Sequence, residues 1–437
     1  MSHHHRDILT LALPSIVSNI TVPLLGLIDV AIVGHIGDER FIGAIAVGSM
    51  IFNVMYWLFA FLRMGTSGLT AQAYGAGRMD EAQAVLSRGL RVAIGVGVLI
   101  ILLQWPLCHL AFWLMGATPD VERLAIPYFY ICVWGAPATL STYALTGWFV
   151  GMQNTRIPMV VAIGQNLVNI AASLLFVFGL GMQVEGVALG TVVAQWAGAA
   201  FAMAMKRRKM RGERREERGE RNDVRGERRE ERGERNDVRG VNRDIFLRTL
   251  CLVAVNLYFT SAGARQGAMV LAVNTLMMQL YLLFSYFLDG FAFAGEALSG
   301  RYYGACDRDS LRQVVRSLFC WGCLMVVLFT LLYWLGGDAF LQLLTSDESV
   351  VRAAGQYYAW ALLIPLCGVA AFVWDGIYIG LTLSRGMLCS CFIAALVFFA
   401  VWFALSPVWG NHALWLALLL FLLTRGVVQT IWWRDCF

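Results

Sequence analysis

The sequence predicts an all-α integral membrane protein: twelve transmembrane helices in two parallel-related six-helix bundles around a central cleft. Three observations carry this. The 437 residues are 59% hydrophobic and 14% charged, with a mean hydropathy of +0.64, whereas a soluble domain carries roughly 25% charged residues. Apolar runs of about 20 residues, long enough to cross a bilayer as a helix, occur twelve times. The two halves also resemble each other at a constant offset. Because the runs are continuous rather than alternating, a closed β-barrel is excluded.

Span 1 (Ile8–Val33) is apolar nearly throughout but contains Asp29. Its Pro14 and Pro23 each remove a backbone donor and permit a bend. Span 2 covers Phe41–Leu62, span 3 Leu90–Leu114 and span 4 Leu124–Phe149. Span 5 (Pro158–Leu180) carries Gln165, Asn169 and Ser173, spaced by four and so on one helix face, with Asn166 beside them. Span 6 (Val184–Met205) adds Thr191 and Gln195, again four apart. Span 7 is Ile245–Gly263, and span 8 (Ala268–Phe293) holds Asp289 and runs into Glu296. Those two acids are seven apart and share a face. Span 9 is Val314–Leu335, span 10 (Val350–Ile379) contains Asp375, and span 11 is Met387–Leu405. Span 12 (Ala413–Trp433) ends on Trp432 and Trp433, whose indoles favour the membrane interface.

Charges alternate between the connections. Arg63, Arg78 and Arg88 follow span 2, Arg156 follows span 4, and Lys206 to Lys209 follow span 6. Arg301, Arg308, Arg312 and Arg316 follow span 8, and Arg385 follows span 10. The opposite connections carry Asp38, Glu39, Asp120, Glu122, Glu185, Asp338 and Asp347, with Arg265 as the exception. The positive-inside rule therefore puts both termini in the cytoplasm and the chain in the inner membrane. The start lacks the short apolar core and small-residue cleavage site of a signal peptide. Its run His3–His5 is a poor basis for a metal site. Nearly all ten cysteines, including the Cys320/Cys323 pair, lie in apolar spans and read as small apolar residues.

Thr70–Asp80 matches Ser299–Asp309 in the tripeptide YGA and the trailing Asp, at an offset of 229 residues. Phe149–Arg156 matches Tyr378–Arg385 at the same offset. Six spans per half give both halves one orientation, hence an axis along the membrane normal. The halves are 1–205 and 243–437. Between them, 206–242 contains a 14-residue unit twice, Arg211–Val224 and Arg225–Val238. Each copy has five Arg against four Glu and one Asp. That balance leaves no footprint for nucleic acid, so the segment reads as a solvated tether.

An ionised acid at membrane depth costs about 2.5–3.5 kcal/mol on insertion scales. Asp29 has no base in its own span. A dry environment favours its protonated form, and water or a cation favours the ionised one. A helix alternating between the two could load and release a proton. The alternative is a structural Asp accepting hydrogen bonds from a neighbouring helix. The polar residues of spans 5 and 6 either join Asp29 or serve as interhelical glue. In the second half, Arg265 either neutralises one of Asp289, Glu296 and Asp375 or snorkels outward.

The stretches Ser285–Ala305, Val373–Gly380 and Leu27–Gly37 closely resemble the multidrug and toxic compound extrusion (MATE) family, in its DinF-like branch. The likeness covers the chain apart from the duplicated tether. It implies cation-coupled export of amphipathic, often cationic, compounds by a monomer, with no cofactor beyond the coupling ion. Asp29 then falls on the family's first-helix coupling acid and Pro14 on its bend proline. Asn169 and Thr191 match polar members of the same pocket. Asp375 falls on the span-10 acid, and Asp289 and Glu296 on span-8 acids, so a second cation site or substrate cavity is implied there. The sequence departs at Ser173, where many relatives carry a second acid. Na⁺ wants several oxygens, so a single Asp29 fits H⁺ better, with Na⁺ as the alternative.

A lipid-linked precursor flippase is the other transport reading, but it needs cations for a pyrophosphate, and intramembrane Lys is absent. An enzyme would need a nucleophile–base pair or metal ligands at depth. His109 and His412 are lone, and neither H-E-x-x-H nor G-x-S-x-G occurs.

Overall fold

A computed structural model describes residues 3–34, 39–115, 119–220, 238–344 and 347–436. Sixteen α-helices follow in order: α1 (His3–Gly34), α2 (Glu39–Leu58), α3 (Phe61–Gly75), α4 (Met79–Leu102), α5 (Gln104–Met115), α6 (Pro119–Cys132), α7 (Ala136–Gly151), α8 (Arg156–Leu174), α9 (Val184–Glu220), α10 (Val238–Arg265), α11 (Ala268–Gly304), α12 (Arg308–Leu344), α13 (Glu348–Gly355), α14 (Tyr358–Gly380), α15 (Ser384–Trp409) and α16 (Asn411–Cys436). Among the described residues no strand occurs. Eleven stretches are long and apolar enough to cross a membrane, and α2 with α3, and α6 with α7, each make one of them. The 32-residue α1 is the twelfth long helix. The chain is a multi-pass membrane protein.

Several spans depart from their sequence limits, among them span 8, which runs on to Gly304, and span 9, which begins at Arg308. Span 3 starts earlier, at Met79, and breaks at Leu103, just before α5. Pro106 accounts for the break, since it has no N–H to donate to the Leu102 carbonyl and its ring clashes with that carbonyl. Span 10 is preceded by the separate α13, capped by Asp347. Span 2 continues to Gly75, because counting apolar residues stops at the first base, Arg63, although the helix does not. Helix α9 carries the start of the tether to Glu220, and the rest of the duplicated unit, 221–237, lies outside the described residues.

The repeat has a geometric cause. A Cβ on Gly75 would lie 1.9 Å from the carbonyl oxygen of Arg301, and one on Gly304 would lie 2.1 Å from that of Gln72. These glycines belong to the two YGA motifs, so α3 and α11 cross where only glycine lets the backbones touch. Gly147 against Arg63, and Gly376 against Ala292, repeat this pairing inside each half at 2.2 Å. Left-handed backbone recurs at matching positions too: Gly77 with Cys306, and Gln153 with Thr382. Both halves therefore share one backbone plan.

With an even number of crossings, both chain ends reach one face of the bundle, here the terminal face. Near it the halves are tied together. Gln72 on α3 donates to the Gly380 carbonyl at 2.8 Å, and Gln153 donates to that of Ala297 at 2.7 Å. On α1, His5 Nδ1 accepts from the Trp321 indole at 3.1 Å, and His4 lies 3.5 Å from the Tyr302 hydroxyl.

Candidate functional site

Helix α1 continues through Pro14 and Pro23 and brings Asp29 into the interior of the first half. Asp29 is 8% exposed, and its Oδ1 is buried with no hydrogen-bond partner among the described residues. It sits within electrostatic reach of Tyr128 and Cys132 on α6. No Lys, Arg or His among the described residues forms an ion pair with it. The Tyr128 hydroxyl in turn meets Ser49 at 3.2 Å. The structural alternative, a carboxylate held by a permanent interhelical bond, therefore lacks its bond at that oxygen.

The polar residues of spans 5 and 6 form their own chain. Asn169 donates to Thr191 at 3.2 Å, Ser173 donates to Asn169 at 3.3 Å, and Thr191 donates to the Val187 carbonyl. Among the described residues neither Asn169 nor Thr191 bonds to Asp29. Asn166 joins the stripe to α1 by donating to the Thr21 carbonyl at 3.0 Å. Both helices run away from the terminal face. By that register Asp29, eight residues beyond Thr21, lies level with Ser173, seven residues beyond Asn166. Serine supplies one neutral oxygen there, already engaged with Asn169.

The second half is built differently. Asp375 on α14 is buried between Arg248 of α10 and Arg425 of α16, both of which donate to its Oδ2. Its Oδ1 accepts from Gln429 at 3.0 Å. Glu296 on α11 is 1% exposed and pairs with Arg63 of α3 at 3.1 Å, a buried ion pair between the halves. The Arg63 guanidinium also stacks 4.2 Å from the Phe293 ring centroid. Asp289, half-buried, accepts from Ser285 at 3.3 Å and lies within electrostatic reach of Arg63, Arg248 and Asp375. Three acids thus face three arginines.

Arg265 takes the snorkelling option. It is exposed at the far end of α10, 17 residues and so about 25 Å from Arg248 along the helix. The neutralising bases are Arg63, Arg248 and Arg425, none of which sequence reasoning singled out. The available signal was that Arg248 and Arg425 lie inside spans 7 and 12 and Arg63 one residue beyond span 2. Among the described residues no group of His, Cys, Asp and Glu has the arrangement of a metal centre.

The MatE family model matches residues 14–175 and 245–404, one segment in each half. DNA damage-inducible protein F of Escherichia coli (strain K12) is 39% identical over 97% of this chain and 91% of its own. Multidrug resistance protein MdtK of Klebsiella pneumoniae (strain 342) is 28% identical over 50% of this chain and 49% of its own. A multidrug resistance MATE family transporter solved in an outward-facing conformation superposes with a TM-score of 0.84 at 19% identity, covering 99% of this chain and 95% of its own. At that identity it speaks for the fold alone.

Proposed function

The chain belongs to the MatE family, and from that premise we propose that it is an H⁺-coupled antiporter exporting amphipathic, often cationic, organic compounds across the cytoplasmic membrane. The observation that carries this reading is the contrast between the two sets of acids. Asp375 and Glu296 are held by arginines, and Asp289 lies among the same bases. Asp29 is buried with an unpartnered oxygen and no base paired to it among the described residues. A carboxyl in that setting is free to exchange a proton when its surroundings change from dry to wet. Proton and cationic substrate then compete for negative charge, so binding of one favours release of the other. A Na⁺ cage finds less support, because Ser173 replaces the second acid and its hydroxyl is engaged.

The terminal face is assigned to the cytoplasm by its basic connections. The bonds from Gln72, Gln153 and Arg63 to the second half then close the cytoplasmic side. Alternating access requires these bonds to break as the halves rock apart. The protein acts as a monomer, with the bilayer as its solvent. The flippase reading gains no support from Arg63, Arg248 and Arg425, since each is already committed to a carboxylate.

The test is efflux of a fluorescent organic cation from proteoliposomes of the purified protein. A pH gradient alone drives export, and a Na⁺ gradient alone does not. Export driven only by Na⁺ refutes the proton assignment, and lipid scrambling without dye export refutes the antiporter.

A further inference from the structure

A cavity of about 630 Å³ opens at the terminal end of the first half, between the first turns of α1 and the start of α8. Its polar side is cationic. Arg6 and Arg156 line it with His3, and both arginines are exposed and make no ion pair among the described residues. Asp7, next to Arg6 in sequence, lies 3.0 Å from His3. Its other wall is apolar: Leu9, Leu13 and Pro14.

The depth of these residues is informative. Arg6 lies two residues before Ile8, where the first apolar run begins, and Arg156 lies two residues before Pro158, where the fifth begins. Both cations therefore stand at the same boundary of the hydrocarbon layer. Leu13 is 55% exposed and lies seven residues further along α1, about 10 Å deeper. The polar layer is only about 5–8 Å thick on each side, so Leu13 stands at the depth of the acyl chains. On α8, Val160 and Leu167 continue an exposed apolar surface in the same direction.

We propose that this cavity is a binding site for one anionic phospholipid of the adjoining leaflet, its phosphate between Arg6 and Arg156 and its glycerol and upper chains on Leu9, Leu13 and Pro14. A free phosphate would use the arginines and leave the apolar wall bare. A zwitterionic lipid would bring its own cation against the two arginines. An anionic phospholipid uses both surfaces. Because Pro14 forms part of the wall, the bound lipid rests against the proposed hinge of the helix that carries Asp29.

Each cation near an anionic headgroup contributes about fivefold in affinity, so the pair contributes about 25-fold. The experiment is lipid titration of the purified full-length chain by native mass spectrometry. The probes are phosphatidylglycerol, phosphatidylcholine and inorganic phosphate. Wild type retains one phosphatidylglycerol in preference to phosphatidylcholine. Arg6→Gln/Arg156→Gln loses about 25-fold of that affinity. Arg88→Gln/Arg316→Gln, a pair of exposed cations away from the cavity, keeps it within about twofold. The site is refuted if the cavity variant retains the lipid as wild type does, or if both pairs lose it equally, which would indicate diffuse attraction. Displacement of the lipid by inorganic phosphate at equal concentration would also overturn it, since the apolar wall would then contribute nothing.

Discussion

Replacing Asp375 by Asn separates a charge clamp from an ion site. In the structure one carboxylate oxygen accepts from both Arg248 and Arg425, whose side chains are 5% and 4% exposed. Asparagine keeps the shape and removes the charge. Two buried guanidinium groups are then left facing each other, and unit charges roughly 5 Å apart repel by about 3 kcal/mol at an effective dielectric constant near 20. Removing one partner from a buried ion pair costs about 3–5 kcal/mol by direct measurement in other proteins. Both routes reach the same range, so Asp375→Asn should lower stability by about 3–5 kcal/mol. Tryptophan fluorescence during denaturant unfolding in detergent reads this, because Trp374 and Trp415 report on the second half. Adding Arg248→Gln to the variant should restore most of the loss by removing the surplus cation. If Asp375→Asn is as stable as wild type, the clamp is wrong. If that stable variant also loses a Na⁺ response, the carboxylate is an open cation site instead.

Three further outcomes follow from the same geometry. Glu296→Gln breaks the buried pair with Arg63 and should disfavour closure of the terminal face by about 3 kcal/mol; spin labels on the ends of α3 and α11 should show a longer separation, and an unchanged distribution contradicts the latch. Gly75→Ala and Gly304→Ala should each cost about 1–3 kcal/mol and by similar amounts, because each added methyl meets the partner helix's carbonyl; thermal unfolding checks this, and a large effect from one alone breaks the pseudo-symmetry. Asp347 has its carboxyl held below the usual range by the Ser349 hydroxyl, then by the Ser349 and Val350 amides. A depressed carboxyl stabilises above its unfolded pKa and loses that contribution as pH falls through the folded value. Hydrogen exchange should therefore show α13 fraying below the ordinary carboxylate range and not above it; equal protection on both sides contradicts the cap.

The spans were legible because lipid demands long apolar helices, and the repeat was legible because its glycines are irreplaceable at helix crossings. Asp29 stood out as a charge with no base in its span, and among the described residues none pairs with it. The arginine clamp was not legible. Arg248 and Arg425 are 127 and 50 residues from Asp375 in sequence, and apolar patterning carries no distances between helices. Arg63 was misread as a connection residue because it ends an apolar run. The scaffold is duplicated and the charges are not: the positions 229 residues before Glu296 and Asp375 are Ser67 and Thr146. Sequence similarity between the halves therefore reports the backbone and says nothing about the chemistry.

The most direct measurement is pH-gradient-driven efflux of an organic cation from proteoliposomes, wild type beside Asp29→Asn. The account predicts that the variant folds, binds the cation and fails to export it against the gradient. Export at the wild-type rate would mean that the proton is carried elsewhere, and the central claim would be wrong.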